Sequence, residues 1–195
     1  MLDILSDWVK MFLAVLFCAG SIKLADDYLD CEVDEKRRYK NWAVRLGRGT
    51  MFYALISMLI ASALHNAVSI GLFMGSYMVG MFQDLHNSFP SRLTGAQESV
   101  VAFILGGVLA GWTMMIFSLV FVFAVQLIDD CIDLRADELT GYRNLAYRFG
   151  VLESILAAAC CLTLAWILDQ AVFEPVFCGV ALFYIINYYY QEVCA

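Results

Sequence analysis

The chain has 195 residues, of which 62% are hydrophobic and only 16% charged. An ordinary soluble domain is closer to half apolar and a quarter charged, so this composition favours an integral membrane protein over a soluble helical one. The net charge of −7 does not indicate an acidic surface, because 11 of the 19 acidic residues lie within residues 26–35 and 129–138. No basic stripe indicates binding to nucleic acid.

Long apolar segments recur along the chain and predict membrane-spanning helices, which need about 20 residues each. The first segment ends in a cluster of aspartates, and a polar connection containing Pro90 separates the early segments from the later ones. The apolar segments, in chain order, are residues 8–30, 50–66, 67–83, 98–129, 151–168 and 171–190. We therefore expect an all-α fold, a polytopic transmembrane helical bundle formed by residues 1–195 as a single domain.

Basic residues decide how the 98–129 stretch is divided. Nine of the 12 Lys and Arg residues lie in two charged segments, 31–48 and 131–148, and the positive-inside rule places both in the cytosol. An even number of crossings must separate the two charged segments. Segments 50–66 and 67–83 supply two of them, so the 98–129 stretch contributes two crossings or none. We expect a hairpin that turns at Gly111 and Trp112. This gives about seven spans; the alternative has six, with the first arm re-entrant.

An acidic motif closes two of the apolar segments, on the side that the basic residues assign to the cytosol. Residues 26–34 and residues 129–137 both read Asp-Asp-x-x-Asp-x-x-x-Asp, and carboxylates three and four positions apart share one face of a helix. The same residue types follow each motif at the same offset, as Asn41, Ala43, Arg45 and Gly47 and again as Asn144, Ala146, Arg148 and Gly150. We therefore expect two tandem repeats, about 8–90 and 97–190, that face a central cavity.

These paired motifs resemble those of the UbiA-type intramembrane prenyltransferase family. That family carries Asn-Asp-x-x-Asp-x-x-x-Asp in its first half and Asp-x-x-x-Asp in its second. Residues 26–34 match the first pattern, with Asp26 in place of the usual Asn, and residues 133–137 match the second. Residues 141–150 also resemble the Gly-x-Lys/Arg-Ser/Thr-x-Ala-x-x-x-Gly segment that follows the family's second motif. The resemblance covers roughly residues 8–190 and implies a short, divergent member.

Aspartate-rich helix ends bind hard cations, and Mg²⁺ prefers a few carboxylates together with water and phosphate oxygens. We expect two Mg²⁺ ions, which would neutralise an isoprenyl diphosphate and act as Lewis acids on its leaving group. The carboxylates expected to hold the metals are Asp27, Asp30, Asp34, Asp130, Asp133 and Asp137. Those expected to be catalytic are Asp27, Asp30, Asp133 and Asp137. Asp26 and Asp129 are expected to reinforce the site.

Basic side chains near the motifs are candidates for binding the diphosphate. They are Lys23, Arg45, Arg143 and Arg148. Two simpler explanations stay open at this point. Lys23 is four residues before Asp27, so the two could form an ordinary ion pair along the helix, and the arginines could serve only to orient the chain in the membrane.

The expected function is that of a Mg²⁺-dependent prenyltransferase in the membrane. It moves an isoprenyl group from its diphosphate to an aromatic or lipid acceptor that no residue pattern identifies. A membrane terpene cyclase of the same family type is an alternative, because it needs the same ionising site. A cation-binding transporter is a third, since repeats with carboxylates also fit transport, although these acids lie at the ends of spans and not at their middle.

Overall fold

A computed structural model of the chain describes residues 2–29, 31, 41–82, 84–134 and 144–193. Within these ranges the regular structure is helical, and the β-structure consists of one isolated bridge between Ser88 and Thr94. The prediction of an all-α fold is therefore confirmed for the described part of the chain.

The described residues form long helices joined by tight turns, with two five-residue helices between them. The helices are α1 (Leu2–Leu29), α2 (Trp42–Leu46), α3 (Thr50–Leu64), α4 (Asn66–Met81), α5 (Gly95–Ala110), α6 (Trp112–Ile132), α7 (Leu145–Phe149), α8 (Val151–Leu168) and α9 (Gln170–Val193). A 3₁₀ turn, Gly47–Gly49, joins α2 to α3. The short helices α2 and α7 each follow one of the acidic motifs.

In the part of the chain that the structure describes, five helical segments are long and apolar enough to cross a membrane. They are Leu5–Leu29, Trp42–Leu64, Trp112–Ile132, Val151–Leu168 and Gln170–Tyr190. Helices α4 and α5 are also apolar but have only 16 residues each, below the length that usually spans a bilayer. The structure therefore supports an integral membrane protein, whereas the total of seven or six crossings stays a prediction.

Large apolar side chains cover the outer faces of the long helices. On α3, Phe52, Leu55 and Leu59 are exposed, and on α8 Leu152 and Ile167 are exposed. Contiguous apolar surfaces of this kind are rare on soluble monomers. In a bilayer they face lipid tails, which are as apolar as the side chains themselves.

The 98–129 stretch is broken where the charge pattern predicts a turn. Helix α5 ends at Ala110 and α6 begins at Trp112. The residue between them, Gly111, has a φ of +92°, a conformation that glycine adopts without steric cost. The predicted break at Gly111 is therefore confirmed.

The chain forms two compact units. The first comprises Met1–Ser69 together with Ala171–Ala195, and the second comprises Ile70–Gln170. Each unit contains one acidic motif and the short helix that follows it. The single domain and the tandem repeats expected from the sequence stay predictions.

Reciprocal hydrogen bonds join α1 to α3 in the first unit. Ser21 Oγ donates to the Ala54 carbonyl at 2.8 Å, and Ser57 Oγ donates to the Phe17 carbonyl at 2.8 Å. In an apolar surrounding a hydroxyl needs such a partner, and small residues let the two helices approach closely. This pair of bonds fixes the register of α1, and therefore the position of its acidic end.

In the second unit α6 packs against α8. Ala124 and Leu127 from α6 form a buried cluster with Ala158 from α8, and Leu145 at the start of α7 packs against it. A close α6–α8 contact over small side chains therefore supports the acidic end of α6 and the short helix α7 together.

Candidate functional site

Asp27 lies in the last turn of α1, and its side chain is only 4% exposed. Both carboxylate oxygens have partners. Lys23 Nζ lies 3.0 Å from Oδ1, and the backbone N–H of Trp42 donates to Oδ2 at 2.9 Å. The carboxylate therefore connects the end of α1 to the first residue of α2, and the ion pair between Lys23 and Asp27 that the sequence allowed is present.

Asn41 joins the same two segments with its side-chain amide. Its Nδ2 donates to the backbone carbonyl of Asp27 at 2.7 Å, and its Oδ1 accepts from the N–H of Ala43 at 2.6 Å. The first bond satisfies a carbonyl at the end of α1, and the second caps the N-terminus of α2. We call the bonds that Asp27 and Asn41 make to each other and to the start of α2 the first clasp.

The second acidic motif has the same arrangement at the end of α6. Asp130, 6% exposed, accepts from the N–H of Leu145 through Oδ2 at 2.8 Å. Asn144 Nδ2 donates to the Asp130 carbonyl at 2.7 Å, and Asn144 Oδ1 accepts from the N–H of Tyr147 at 3.1 Å. Gln126 Nε2 donates to Asp130 Oδ1 at 2.8 Å. These bonds of Asp130 and Asn144 form the second clasp.

The two clasps differ mainly in charge. The residue four positions before the aspartate is Lys23 in the first clasp and Gln126 in the second, and each donates to Oδ1. Lys23 compensates the charge of Asp27, whereas Gln126 brings a neutral amide to Asp130. The two acidic helix ends are thus alike in geometry and different in their balance of charge.

Each short helix ends on a glycine whose positive φ would strain a residue that has a Cβ. Gly47 has a φ of +56° and Gly150 a φ of +105°, and their N–H groups donate to the carbonyls of Ala43 and Ala146. Asparagine therefore begins each short helix and glycine ends it. This fixes the path of the backbone that carries Arg45 or Arg148.

Arg45 is held against the end of α9. Its Nη1 donates to the hydroxyl of Tyr190 at 2.6 Å, and its guanidinium carbon lies 5.6 Å from the centre of that ring. Trp42 stacks on the same ring, with 4.2 Å between its ring centre and that of Tyr190, and its Nε1 donates to Asn187 at 3.4 Å. The short helix α2 is therefore fixed by aromatic contacts as well as by the first clasp.

Arg148 occupies the matching place on α7 but has different surroundings. It is exposed, and its guanidinium carbon lies 5.3 Å above the ring of the neighbouring Phe149. Leu145 stands where α2 has Trp42. Both arginines are exposed, but Arg45 is bonded to Tyr190 of α9, whereas Arg148 lies over the ring of its own neighbour in α7.

The other described aspartates of the two motifs are more accessible than the two in the clasps. Asp133, at the C-terminal end of α6, is exposed, as is Asp26, and Asp129 is half-buried. Four of the predicted site residues lie outside the described residues, and they are Asp30, Asp34, Asp137 and Arg143. Of the predicted site residues, the structure thus brings Lys23 into contact with Asp27. It also shows that each motif contains one buried aspartate and at least one exposed aspartate.

The donor chemistry of the motifs fits Mg²⁺, since carboxylate oxygens are hard ligands. Among the described residues, no group of three or more His, Cys, Asp or Glu side chains is arranged to hold a metal ion. Three of the six predicted ligands, Asp30, Asp34 and Asp137, lie outside the described residues. Binding of Mg²⁺ at the motifs therefore stays a prediction.

A cavity of about 230 Å³ lies within the second unit, at the opposite end of α6. Trp112, Met114, Phe117 and Asp169 contribute to its lining. At a rise of 1.5 Å per residue, the start of α6 is about 27 Å from Asp130. This cavity is therefore separate from the second clasp.

No family model matches the chain, and comparisons with curated proteins and with solved structures also give no match. Membership of the UbiA-type family therefore stays a prediction that rests on the motifs themselves.

The two asparagines of the clasps belong to the candidate site, although the sequence pattern alone assigns them no role. Asn41 and Asn144 were visible only as identical residues at matching places after the motifs. The signal that could have identified them is the strong preference for Asn at the N-cap of a helix. Their second bond, to the carbonyl of Asp27 or Asp130, joins residues 14 positions apart. Local sequence does not predict it, because it requires the chain to come back to the end of the preceding helix after the polar segment.

Proposed function

We propose that the protein is a Mg²⁺-dependent intramembrane prenyltransferase. In this proposal the two aspartate motifs bind an isoprenyl diphosphate, and the prenyl group passes to an aromatic or lipid acceptor. One observation carries the proposal: in a chain of apolar helices, two buried clasps each join an acidic helix end to a short helix that bears an arginine. Carboxylates for a cation and a guanidinium for a phosphate are the groups that this substrate needs.

The substrate matches the protein in its two parts. The isoprenoid tail is a solute of the membrane, and the diphosphate is a multiply charged anion that stays at the interface. Guanidinium groups bind phosphate oxygens in a forked geometry, which Arg148 is exposed enough to offer. Mg²⁺, when bound by the motif carboxylates, would neutralise the diphosphate and favour its departure.

Breaking the allylic C–O bond releases the diphosphate and leaves a carbocation on the prenyl group. An apolar surrounding of helices keeps water away from that carbocation. Aromatic faces stabilise a cation by about 0.5–2 kcal/mol each. Attack by the acceptor forms the new bond, and the acceptor's proton leaves. The protein's own contribution is therefore to hold the diphosphate, to orient it and to exclude water.

Product analysis tests the proposal. The purified full chain, in lipid nanodiscs with Mg²⁺, is incubated with prenyl diphosphates of several lengths, with and without aromatic and lipid acceptors, and the products are identified by mass spectrometry. We expect a prenylated acceptor and release of diphosphate that EDTA abolishes. A cyclic hydrocarbon or terpene alcohol formed without acceptor would instead identify a terpene cyclase.

Two aspartates, one from each motif, supply the matched variants. Asp30→Ala and Asp133→Ala are each expected to abolish turnover, whereas Asp7→Asn, at an exposed acid near the start of α1, is expected to leave it unchanged. Turnover that survives both alanine changes contradicts a mechanism with two motifs. Absence of turnover with every diphosphate, together with cation flux into liposomes, would identify a transporter.

A further inference from the structure

We infer that Asp27 and Asp130 are positioning residues of the site proposed above and not metal ligands: each ties the arginine-bearing short helix to the acidic end of the helix before it. This assignment rests on the proposed function. It divides the aspartates of each motif into one that organises the backbone and others that face the cation.

The carboxylates of Asp27 and Asp130 are already committed to protein donors. In both, Oδ2 accepts from the first N–H of the following short helix and Oδ1 accepts from the residue four positions earlier. Both side chains are buried. Mg²⁺ usually keeps several of its waters and needs room for a near-octahedral shell. A buried carboxylate with both oxygens bonded to protein fits a structural role better than a place in that shell.

The short helices need the clasps. A helix of five residues is far below the length that is stable by itself, so α2 and α7 depend on bonds to other parts of the chain. The aspartate and the asparagine of each clasp satisfy two of the N–H groups that a helix leaves without partners at its start. Loss of the second clasp therefore releases the segment that carries Arg148. Loss of the first clasp loosens the segment that carries Arg45, which keeps its aromatic contacts with α9.

Charge in the first clasp supports the same assignment. Lys23 lies 3.0 Å from Asp27 Oδ1 and compensates its charge, so a cation bound there would have to compete with an ammonium group already in place. Asp133, three residues after Asp130, is exposed at the end of α6. Among the described acids of the second motif, the exposed carboxylate is therefore not the one in the clasp.

Binding of Mn²⁺ separates a ligand from a positioning residue without relying on turnover. Free Mn²⁺ is measured by electron paramagnetic resonance with the full chain in nanodiscs and a prenyl thiodiphosphate analogue that resists ionisation. Asparagine keeps an oxygen for the N–H of Leu145 or Trp42 but lacks the charge. We expect Asp27→Asn and Asp130→Asn to change the apparent dissociation constant by less than about threefold, and Asp30→Asn and Asp133→Asn to raise it about tenfold or more.

Amide hydrogen exchange tests the positioning role directly. We expect Asp130→Ala to speed exchange in Leu145–Phe149, and Asp27→Ala to do so in Trp42–Leu46, while the asparagine variants and Asp133→Ala leave it unchanged. Rescue by asparagine in both readouts supports the assignment. Weakening of Mn²⁺ binding in Asp130→Asn that equals Asp133→Asn would overturn it.

The two proposals fail in different ways. If the unmodified chain with the analogue binds no Mn²⁺, the proposed function fails. The exchange measurement still decides the role of the clasps in that event: fast exchange in Asp130→Ala, restored in Asp130→Asn, supports it, and unchanged exchange in Asp130→Ala refutes it.

Discussion

The side-chain amide of Asn144 donates to the backbone carbonyl of Asp130 at 2.7 Å, while the carboxylate of Asp130 accepts from the residue that follows Asn144. Each of the two residues thus uses its side chain to bind the other's backbone region. Asn41 and Asp27 repeat this exchange in the other unit, where the amide–carbonyl bond is again 2.7 Å and the bond to the carboxylate is 2.9 Å. Such reciprocal bonds fail together, because removing either side chain leaves buried groups of its partner without a bond.

Replacing an asparagine of a clasp is expected to destabilise its unit. Asn144→Ala removes an N-cap and a buried hydrogen bond, so we expect the free energy of unfolding to fall by about 1–3 kcal/mol. Asn41→Ala is expected to act similarly. Thermal unfolding in detergent measures both, with Thr163→Ala as control, since that exposed hydroxyl bonds only within its own helix. An unchanged unfolding temperature in Asn144→Ala would mean that the clasp adds no stability.

Exchanging the residues that bind Oδ1 tests the difference in charge between the clasps. Lys23→Gln keeps a donor for Asp27 and removes one positive charge from the acidic end of α1. We expect the apparent affinity for Mg²⁺ in the presence of a prenyl diphosphate to rise about threefold at low salt, with a smaller change at high salt. Gln126→Lys, the reciprocal change, is expected to lower it. The measurement is the Mg²⁺ dependence of turnover.

The same Lys23 variant also decides between the two roles that the sequence allowed. If the Lys23 ammonium binds diphosphate as well as Asp27, Lys23→Gln should raise KM for the prenyl diphosphate. A lower requirement for Mg²⁺ with an unchanged KM would restrict Lys23 to its ion pair with Asp27.

The matched arginines are expected to differ in what they do. Arg148 is exposed and lies over an adjacent ring, so Arg148→Gln should raise KM for the prenyl diphosphate about tenfold with little effect on unfolding. Arg45→Gln loses the bond to Tyr190 and should chiefly lower the unfolding temperature. Arg92→Gln, at an exposed loop position, controls for the loss of one positive charge. The prediction is wrong if Arg45→Gln raises KM more than Arg148→Gln.

Glycines at the ends of α2 and α7 are expected to be about equally hard to replace. Both have backbone conformations that side chains rarely adopt, so alanine costs about 1–3 kcal/mol at either place. At Gly47 the space for an added Cβ is open, and at Gly150 the Cβ would meet the carboxylate of Glu153, the end of an exposed side chain that can move away at little cost. We therefore expect Gly150→Ala and Gly47→Ala to lower the unfolding temperature by similar amounts. Thermal unfolding of both, and of Gly150→Ala with Glu153→Ala, measures this; recovery of stability in the double variant would show that the contact with Glu153 matters after all.

The sequence predicts the helical class from a local signal, because the length of an apolar segment indicates a span. The break at Gly111 follows instead from the basic residues of two distant segments, 31–48 and 131–148, which require an even number of crossings between them. The ion pair of Lys23 with Asp27 is also local, since residues four apart meet on a helix.

The sequence could not distinguish the aspartates within a motif, because their spacing puts all of them on one side of a helix. Which carboxylate is buried depends on where the chain returns: Trp42 comes back to Asp27, and Leu145 to Asp130. The contact of Trp42 and Arg45 with Tyr190 joins residues 145 or more positions apart. No periodicity or charge pattern contains such a pairing, since it arises only from packing of α9 within the first unit.

The aspartate of each clasp accepts a hydrogen bond from a main-chain N–H, and this bond does not depend on the side chain of the residue that donates it. Trp42 and Leu145 therefore fill the same place with very different shapes while the bond to the carboxylate keeps nearly the same length. Proline is the one residue that this position cannot accept, because it has no N–H to donate. The side chain at this position can therefore differ between the two units without loss of the clasp. Trp42 stacks on Tyr190, whereas Leu145 packs against the buried cluster around Ala124.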